Sequence, residues 1–238
     1  IVDRDRRSLD HRESDRAADK DMAANRAAYQ AYIAAILKLA GNEDADNKAK
    51  AIFDLEMKIA KAHANVVDSQ DVHKANNPWA TADFAKKAPG IDWTGFFDAA
   101  NLSDQQTLFA WQPEAITKLS ALVASEPLQA WKDYLRFHAI NHSAGLLPKA
   151  YADLHFGFYG KQLQGTSQQR DRWKRAIGAT DGALGDAIGQ QYVKQYFPAA
   201  SKAKVEDMVT NIMAAFRDGV DKLAWMSPET KKIAKAKA

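Results

Sequence analysis

Apolar residues recur every three or four positions in several long segments of this chain, and this feature constrains the fold most. The spacing places apolar side chains on one face of an α-helix and differs from the two-residue repeat of a half-buried strand. The clearest case runs from Ser201 to Trp225. Its predicted apolar face consists of Val205, Met208, Ile212, Phe216, Val220 and Leu223. We predict that this segment is a long amphipathic helix.

Other helices are predicted from the same spacing together with capping residues and helix stops. A helix from about Asp46 to Asn65 has the apolar stripe Ile52, Leu55, Ile59, Ala62 and Val66. The remaining predicted helices are one over Tyr29 to Leu37 that stops at Ala40-Gly41, one opened by Pro113, one capped by Ser125, one from Pro148 to about Tyr159, and one that ends near Tyr196-Phe197-Pro198. Glycines at 157, 160 and 165 are predicted to break the chain.

Strand patterns are scarce, and residues 106–111 are the one fair candidate. Residues 67–100 are rich in turn formers but carry interleaved aromatic residues, so this loop is predicted to pack on the core. The helix after Ser125 is predicted to bury the stripe Leu128, Trp131, Leu135, His138 and Ala139. These patterns predict an all-α fold, an irregular orthogonal array of helices with long packed loops.

Composition excludes several classes of protein. The chain has no cysteine, so disulfides and thiolate metal sites are excluded. Its 33 basic and 30 acidic residues leave a net charge of +3, too balanced to indicate a nucleic-acid or membrane-surface partner. No apolar run approaches the roughly 18 residues that a membrane helix needs.

The first 21 residues differ from the rest, because charged side chains dominate them and large apolar ones are few. Such a segment buries too little apolar area to offset its ordering entropy. We expect a charged, poorly ordered leader over 1–21 and a helical lobe over 22–238. Ser227-Pro228 has the pattern of a capped helix start only a few residues before the last residue. This pattern fits equally well a chain cut as an element begins and a frayed basic tail.

One histidine pair has the spacing of metal ligands. His138 and His142 are four residues apart, which places both rings on the same side of a helix. The zinc motif H-E-x-x-H has this spacing, but its glutamate acts as general base and Ala139 occupies that position here. With no clear third ligand, the favoured interpretation is that His138 packs on the Trp131 and Leu135 stripe, and that His142 caps the helix end.

Two further clusters contain residue types that occur in phosphate-binding sites. Residues 170–175 contain four basic residues and Asp171 around Trp173. This pattern fits either a phosphate-binding patch or a core tryptophan with a charged outer face, and the second interpretation is favoured. Residues 182–189 are glycine-rich but lack the Gly-Lys-Ser/Thr ending of a phosphate loop. We expect these small residues to permit close helix packing.

Several runs in a definite order carry a resemblance to a known family. They lie at 26–33, 51–60, 131–137 and 172–175, with Trp-Met-Ser-Pro-Glu-Thr-Lys-Lys at 225–232. The most specific is Phe-Gly-Phe-Tyr-Gly-Lys-Gln-Leu-Gln-Gly at 156–165. Together they cover about 22–238 and resemble the neprilysin family of zinc metallopeptidases.

The resemblance implies a two-lobed enzyme that is secreted or periplasmic. A thermolysin-like lobe binds zinc, and a mostly helical lobe closes over it to form a chamber that admits peptides but not folded proteins. This chain corresponds mainly to the helical lobe. The implied partners are peptide substrates and the catalytic lobe, and zinc is expected only in that lobe.

The catalytic motifs of the family do not occur in these 238 residues. No histidine is followed by glutamate, no glutamate has aspartate four residues later, and Asn-Ala-Tyr is absent. We therefore assign no catalytic, cofactor or metal residue, and expect a fragment that ends before the zinc-binding region and is inactive alone.

Two other functions stay open at this stage. A free-standing helical binding or scaffold module would have a self-sufficient surface, whereas a fragment should expose a large apolar patch, through which it would self-associate. A small zinc enzyme that uses His138 and His142 is the least favoured hypothesis.

Overall fold

The computed structural model describes residues 20–237, and the chain divides into one compact unit that ends at Gln169 and another that begins at Arg170. Residues 1–19 of the predicted leader lie outside the described residues. The first helix begins at Lys20.

The first unit is helical apart from one short sheet. Its helices are α1 (Lys20–Leu39), α2 (Ala45–Ala62), α3 (Val66–Gln70), α4 (Val72–Ala75), α5 (Phe84–Lys87), α6 (Trp93–Ala99), α7 (Pro113–Ser125), α8 (Leu128–Ser143) and α9 (Lys149–His155). A 3₁₀ turn covers Thr81–Asp83, and a π-helix, Phe156–Gln162, continues α9.

Strands β1 (Pro78–Ala80) and β2 (Thr107–Phe109) pair antiparallel, with Trp79 opposite Leu108. The predicted strand at 106–111 is confirmed, while its partner was not predicted because Pro78 is not typical of a paired strand. The all-α prediction is confirmed, since these strands are three residues each.

The end of α1 follows from its sequence. Gly41 has φ +76°, and the backbone N–H of Asn42 donates to the carbonyl of Leu37 at 3.0 Å. This left-handed glycine and its return hydrogen bond close the helix. The predicted stop at Ala40-Gly41 is therefore confirmed.

The main core lies where α1 and α2 pack together and against α8 and the π-helix. The fully buried side chains at its centre include Tyr29, Ile33, Ile36, Leu37, Ile52 and Phe137. Aromatic rings dominate one side: the Tyr32 and Phe158 rings stack at 5.3 Å, and the Tyr29 and Phe137 rings meet edge to face at 6.2 Å. Such pairs add stability beyond their buried area.

A second core lies under the 78–110 region. Its buried residues are Trp79, Phe84, Ala88, Trp93, Phe97 and Ala110. The Ala88 carbonyl accepts from the Trp93 indole and from the Ser120 hydroxyl of α7, both at 2.7 Å. Most aromatic residues of this segment are buried, as predicted, but they pack in a core of their own. The segment predicted as a loop also contains the short helices α4, α5 and α6.

The second unit consists of α10 (Arg172–Tyr196), α11 (Ala199–Lys222) and α12 (Pro228–Lys237). Helix α10 is kinked at Leu184, where φ is −129°. In α12 the Ser227 hydroxyl accepts from the backbone N–H of Thr230 at 3.2 Å, as the capping pattern predicted. Among its described residues the unit buries few side chains: Val220 on α11, and none on α10 or α12.

Several sequence predictions are wrong in detail. In α8 the buried residues are Asp133 and Phe137, whereas Leu128 and Leu135 are 68% and 62% exposed. Ser125 ends α7, and Pro127 stands at the N-cap of α8. Helix periodicity fixes which residues share a face, but the neighbouring elements decide which face is buried.

The predicted glycine breaks are also corrected. Gly157 and Gly160 lie inside the π-helix, and Gly165, at φ +66°, follows it. None of the helices in residues 20–237 is long and apolar enough to cross a membrane.

Candidate functional site

A buried carboxylate joins three helices of the first unit. Glu56 of α2 is largely buried, and its Oε1 accepts a hydrogen bond from the Tyr29 hydroxyl of α1 at 3.0 Å. The same oxygen lies 2.7 Å from Nε2 of His138 on α8. Because an ionised carboxylate only accepts, His138 donates from Nε2. We call Tyr29, Glu56 and His138 the Glu56 cluster.

A second hydrogen-bonded group of the first unit is centred on Asn141. The Tyr32 hydroxyl donates to Oδ1 of Asn141 at 2.6 Å, and Nδ2 of Asn141 donates to the Tyr159 hydroxyl at 3.2 Å. These bonds connect α1, α8 and the π-helix. They satisfy polar atoms that would otherwise be buried without partners.

Burial controls the ionisation of both core tyrosines. Desolvation, and after it the charge of Glu56, raises the pKa of Tyr29 well above its ordinary value of 10.0. Desolvation also raises the pKa of Tyr32, with a smaller contribution from Tyr159. Both side chains stay neutral near pH 7, so they serve as hydrogen-bond donors and not as catalytic bases.

The geometry does not favour a zinc site on the predicted histidine pair. His138 uses Nε2 for Glu56 and packs on the Tyr134 and Phe137 rings, at centroid distances of 4.3 and 5.1 Å, while His142 is exposed. No three His, Asp or Glu side chains within residues 20–237 are placed to hold a metal ion together. His138 packs on the helix as expected, but on Tyr134 and not on the exposed Leu135.

The basic cluster at 170–175 forms the start of α10. Trp173 is 61% exposed, so its interpretation as a core residue is wrong. The Lys174 ammonium lies 5.3 Å from the Trp173 ring centroid and 3.0 Å from a carboxylate oxygen of Asp171. These contacts are local to the first turn of the helix.

The glycine-rich segment lies inside α10. A Cβ placed at Gly182 or Gly189 would meet nothing within 4 Å, and at Gly185 only a carboxylate oxygen of Asp181 in the same helix. The expected close helix packing is therefore not found in the described part of the chain.

Glu56 was missed as a site residue by the sequence reasoning, although a signal existed. It lies four residues after Ile52 and three before Ile59, and so shares the face predicted to be buried. A carboxylate on such a face needs a partner. The partner itself, 82 positions away, has no signal in the local sequence.

Comparison with known proteins adds a decisive observation. The sequence profile for the N-terminal region of peptidase family M13 matches residues 3–238, which is nearly the whole chain.

The chain belongs to peptidase family M13.

The relatives of this chain include an endothelin-converting enzyme homolog and neprilysin. An endothelin-converting enzyme homolog of Locusta migratoria is 27% identical over 224 residues, which are 89% of this chain and 31% of the relative. Human neprilysin is 28% identical over 199 residues, 79% of this chain and 26% of the relative. The neprilysin-type resemblance is thereby confirmed.

Solved M13 structures share the fold. The open state of the Mycobacterium tuberculosis zinc metalloprotease Zmp1 matches with a TM-score of 0.77 and 32% identity, over 92% of this chain and 35% of that one. The chain therefore spans about a third of the length of its relatives. The profile match begins at residue 3, so it includes most of the charged segment that the resemblance left out.

Proposed function

We propose that these 238 residues form the helical lobe of a secreted or periplasmic zinc peptidase that cleaves small peptides, and that this lobe limits which substrates reach the catalytic centre. One observation carries the proposal: an M13 match over residues 3–238 in a sequence without H-E-x-x-H, E-x-x-x-D or Asn-Ala-Tyr. The first motif supplies two zinc ligands and the general base. The zinc chemistry accordingly belongs to a part of the whole protein outside these residues.

The surface of the second unit supports this proposal. Large apolar side chains on α10 and α11 are between 42% and 62% exposed where such helices normally bury one face. They include Trp173, Ile177, Leu184, Tyr192 and Tyr196 on α10, and Val205, Met208, Val209, Ile212 and Phe216 on α11. Soluble monomers rarely leave such extensive apolar faces uncovered. We propose that the catalytic lobe of the whole protein covers them.

The first unit supports the role of a rigid wall. Its core is closed by aromatic contacts and by the Glu56 cluster. At the surface, Lys58 of α2 contacts both carboxylate oxygens of Glu126 at 2.7 and 2.8 Å. A lobe that excludes folded proteins by size must resist deformation, and a densely packed core has the low compressibility that this requires.

The first experiment is a peptidase assay on the 238-residue chain. A quenched fluorescent peptide is incubated with the chain and added zinc, with and without a chelator. We expect no turnover above the protein-free control. Chelator-sensitive turnover by the chain alone would overturn the proposal, because no general base for zinc chemistry has been found in it.

The second experiment tests the access-limiting role directly. The matching region of Zmp1 is replaced by this chain, which is 32% identical to it. We expect the chimera to cleave the peptide and to leave a folded protein substrate intact, and a variant with the motif glutamate changed to glutamine serves as the inactive control. A chimera that folds and cleaves folded proteins as readily as peptides would contradict the proposed role.

The free-standing binding module makes the opposite prediction. Such a module would stay monomeric and would bind little of a dye that reports exposed apolar surface. Sedimentation analysis and dye binding on the 238-residue chain separate the two proposals, since an uncovered lobe is expected to bind the dye and to self-associate.

A further inference from the structure

Two fully buried polar atoms of opposite character lie in the packing of α2 and α8. Oε2 of Glu56 and Nε1 of Trp131 have no hydrogen-bond partner among the described residues. The first is an acceptor and the second is a donor only. Native proteins rarely leave buried polar atoms unpaired, so each requires an explanation.

The two atoms lie at the ends of a continuous row of side chains. Trp131, Tyr134 and His138 follow one another on one face of α8, with ring centroids 5.8 Å apart for the first pair and 4.3 Å for the second. His138 then contacts Oε1 of Glu56 at 2.7 Å. Tyr134 and His138 therefore lie between the residue with the orphan donor and the residue with the orphan acceptor.

Two lysines of α2 are bound to groups other than Oε2 of Glu56. Lys58 is bound to Glu126, and Lys48 donates to Asn42 at 2.9 Å and lies 3.8 Å from Asp133. A metal cation could bind the carboxylate of Glu56, but it could not satisfy the indole N–H of Trp131, which is a donor only. A water molecule can donate to one atom and accept from the other.

We propose that the α2–α8 interface contains a buried hydration site. One water donates to Oε2 of Glu56, and the same water, or a second one bonded to it, accepts from Nε1 of Trp131. Both carboxylate oxygens of Glu56 then have hydrogen-bond partners: Tyr29 and His138 on Oε1, and water on Oε2. This site is independent of the peptidase proposal, since it lies in the interior of the first unit.

The test uses the ¹⁵N-labelled 238-residue chain. We expect a cross-peak between the Trp131 indole proton and long-lived water, assigned by its loss in Trp131→Phe. Trp93, whose indole donates to the Ala88 carbonyl, is the internal control and should show no such cross-peak. Glu56→Gln should keep the cross-peak because the amide still bonds water, whereas Glu56→Leu should abolish it.

A crystal structure of the unaltered chain gives a second measurement that does not depend on variants folding. We expect a density peak within about 2.6–3.2 Å of Glu56 Oε2, with no route to bulk solvent. The absence of both the cross-peak and the density peak, or a protein side chain in the place of the water, would overturn the proposal. A peak with the short distances and ligand number of a metal would overturn it as well.

Discussion

Among the glycines of the described residues, Gly90 is the one at which an added methyl group should lower the free energy of unfolding most. Its φ is +124°, and a Cβ there would lie 2.1 Å from the carbonyl oxygen of Ser120 and 2.8 Å from its carbonyl carbon. Those atoms are backbone of α7 and cannot rotate away. The Ser120 hydroxyl and the Trp93 indole both bond the Ala88 carbonyl, which holds the two segments together.

The expected loss in Gly90→Ala can be worked from two contributions. A non-glycine residue in this region of φ costs about 1–3 kcal/mol. Forcing an extra carbon into a closed contact costs about 1–3 kcal/mol more. The two contributions sum to a loss of roughly 2–6 kcal/mol, which corresponds to a fall of ~10 °C in melting temperature for a chain of this size.

Gly41→Ala is the matched control. Gly41 also has a positive φ, +76°, but a Cβ there would meet nothing within 4 Å. Only the left-handed backbone cost of about 1–2 kcal/mol applies. Urea unfolding of both variants, followed by circular dichroism and tryptophan fluorescence, measures the difference. Equal losses in the two variants would refute the reasoning that the Ser120 contact sets the cost.

Three further outcomes are expected. The pKa values of Tyr29 and Tyr32 are raised in the folded state, so the unfolded chain loses these protons first as pH rises. The free energy of unfolding should therefore fall above about pH 10, by up to ~1.4 kcal/mol per pH unit for each tyrosine. Urea unfolding between pH 8 and 11 should show a shallower fall in the double variant Tyr29→Phe, Tyr32→Phe. Gly160→Ala should destabilise by about 1–3 kcal/mol, since its Cβ would lie 2.4 Å from the Phe156 ring, and thermal unfolding checks this. Phe216→Ser should reduce dye binding and self-association, and it should change the free energy of unfolding by less than about 0.5 kcal/mol because this ring is 47% exposed. Unchanged dye binding together with a clear fall in melting temperature would contradict this expectation.

Much of the fold could be predicted because its signals are local. The end of α1 at Gly41 and the N-cap of α12 at Ser227 both depend on residues adjacent in the sequence. The absence of the zinc motifs is likewise a property of the letters alone. Such features depend on backbone geometry within one helical turn, which a short segment determines by itself.

The packing partners could not be predicted in this way. Leu135 has the spacing of a buried residue but is exposed, and Asp133 is buried because Lys48 and Gln129 lie beside it. The apolar face of α11 was identified correctly as a face, yet Val220 alone of its predicted members is buried. Periodicity defines faces, and only a neighbouring element decides which face is covered.

The chemical interior of the first unit depends on long-range contacts. Glu56 meets Tyr29 and His138 across 27 and 82 positions of sequence. The sequence by itself determined most of the helices, some of their ends and the absence of the zinc-binding motifs from these residues. Only the tertiary structure decided that His138, which was expected to pack among apolar residues, forms a hydrogen bond with the buried carboxylate of Glu56. The physical reason is that a buried charge without a partner is too costly, and the partner available is the one that helix packing brings near.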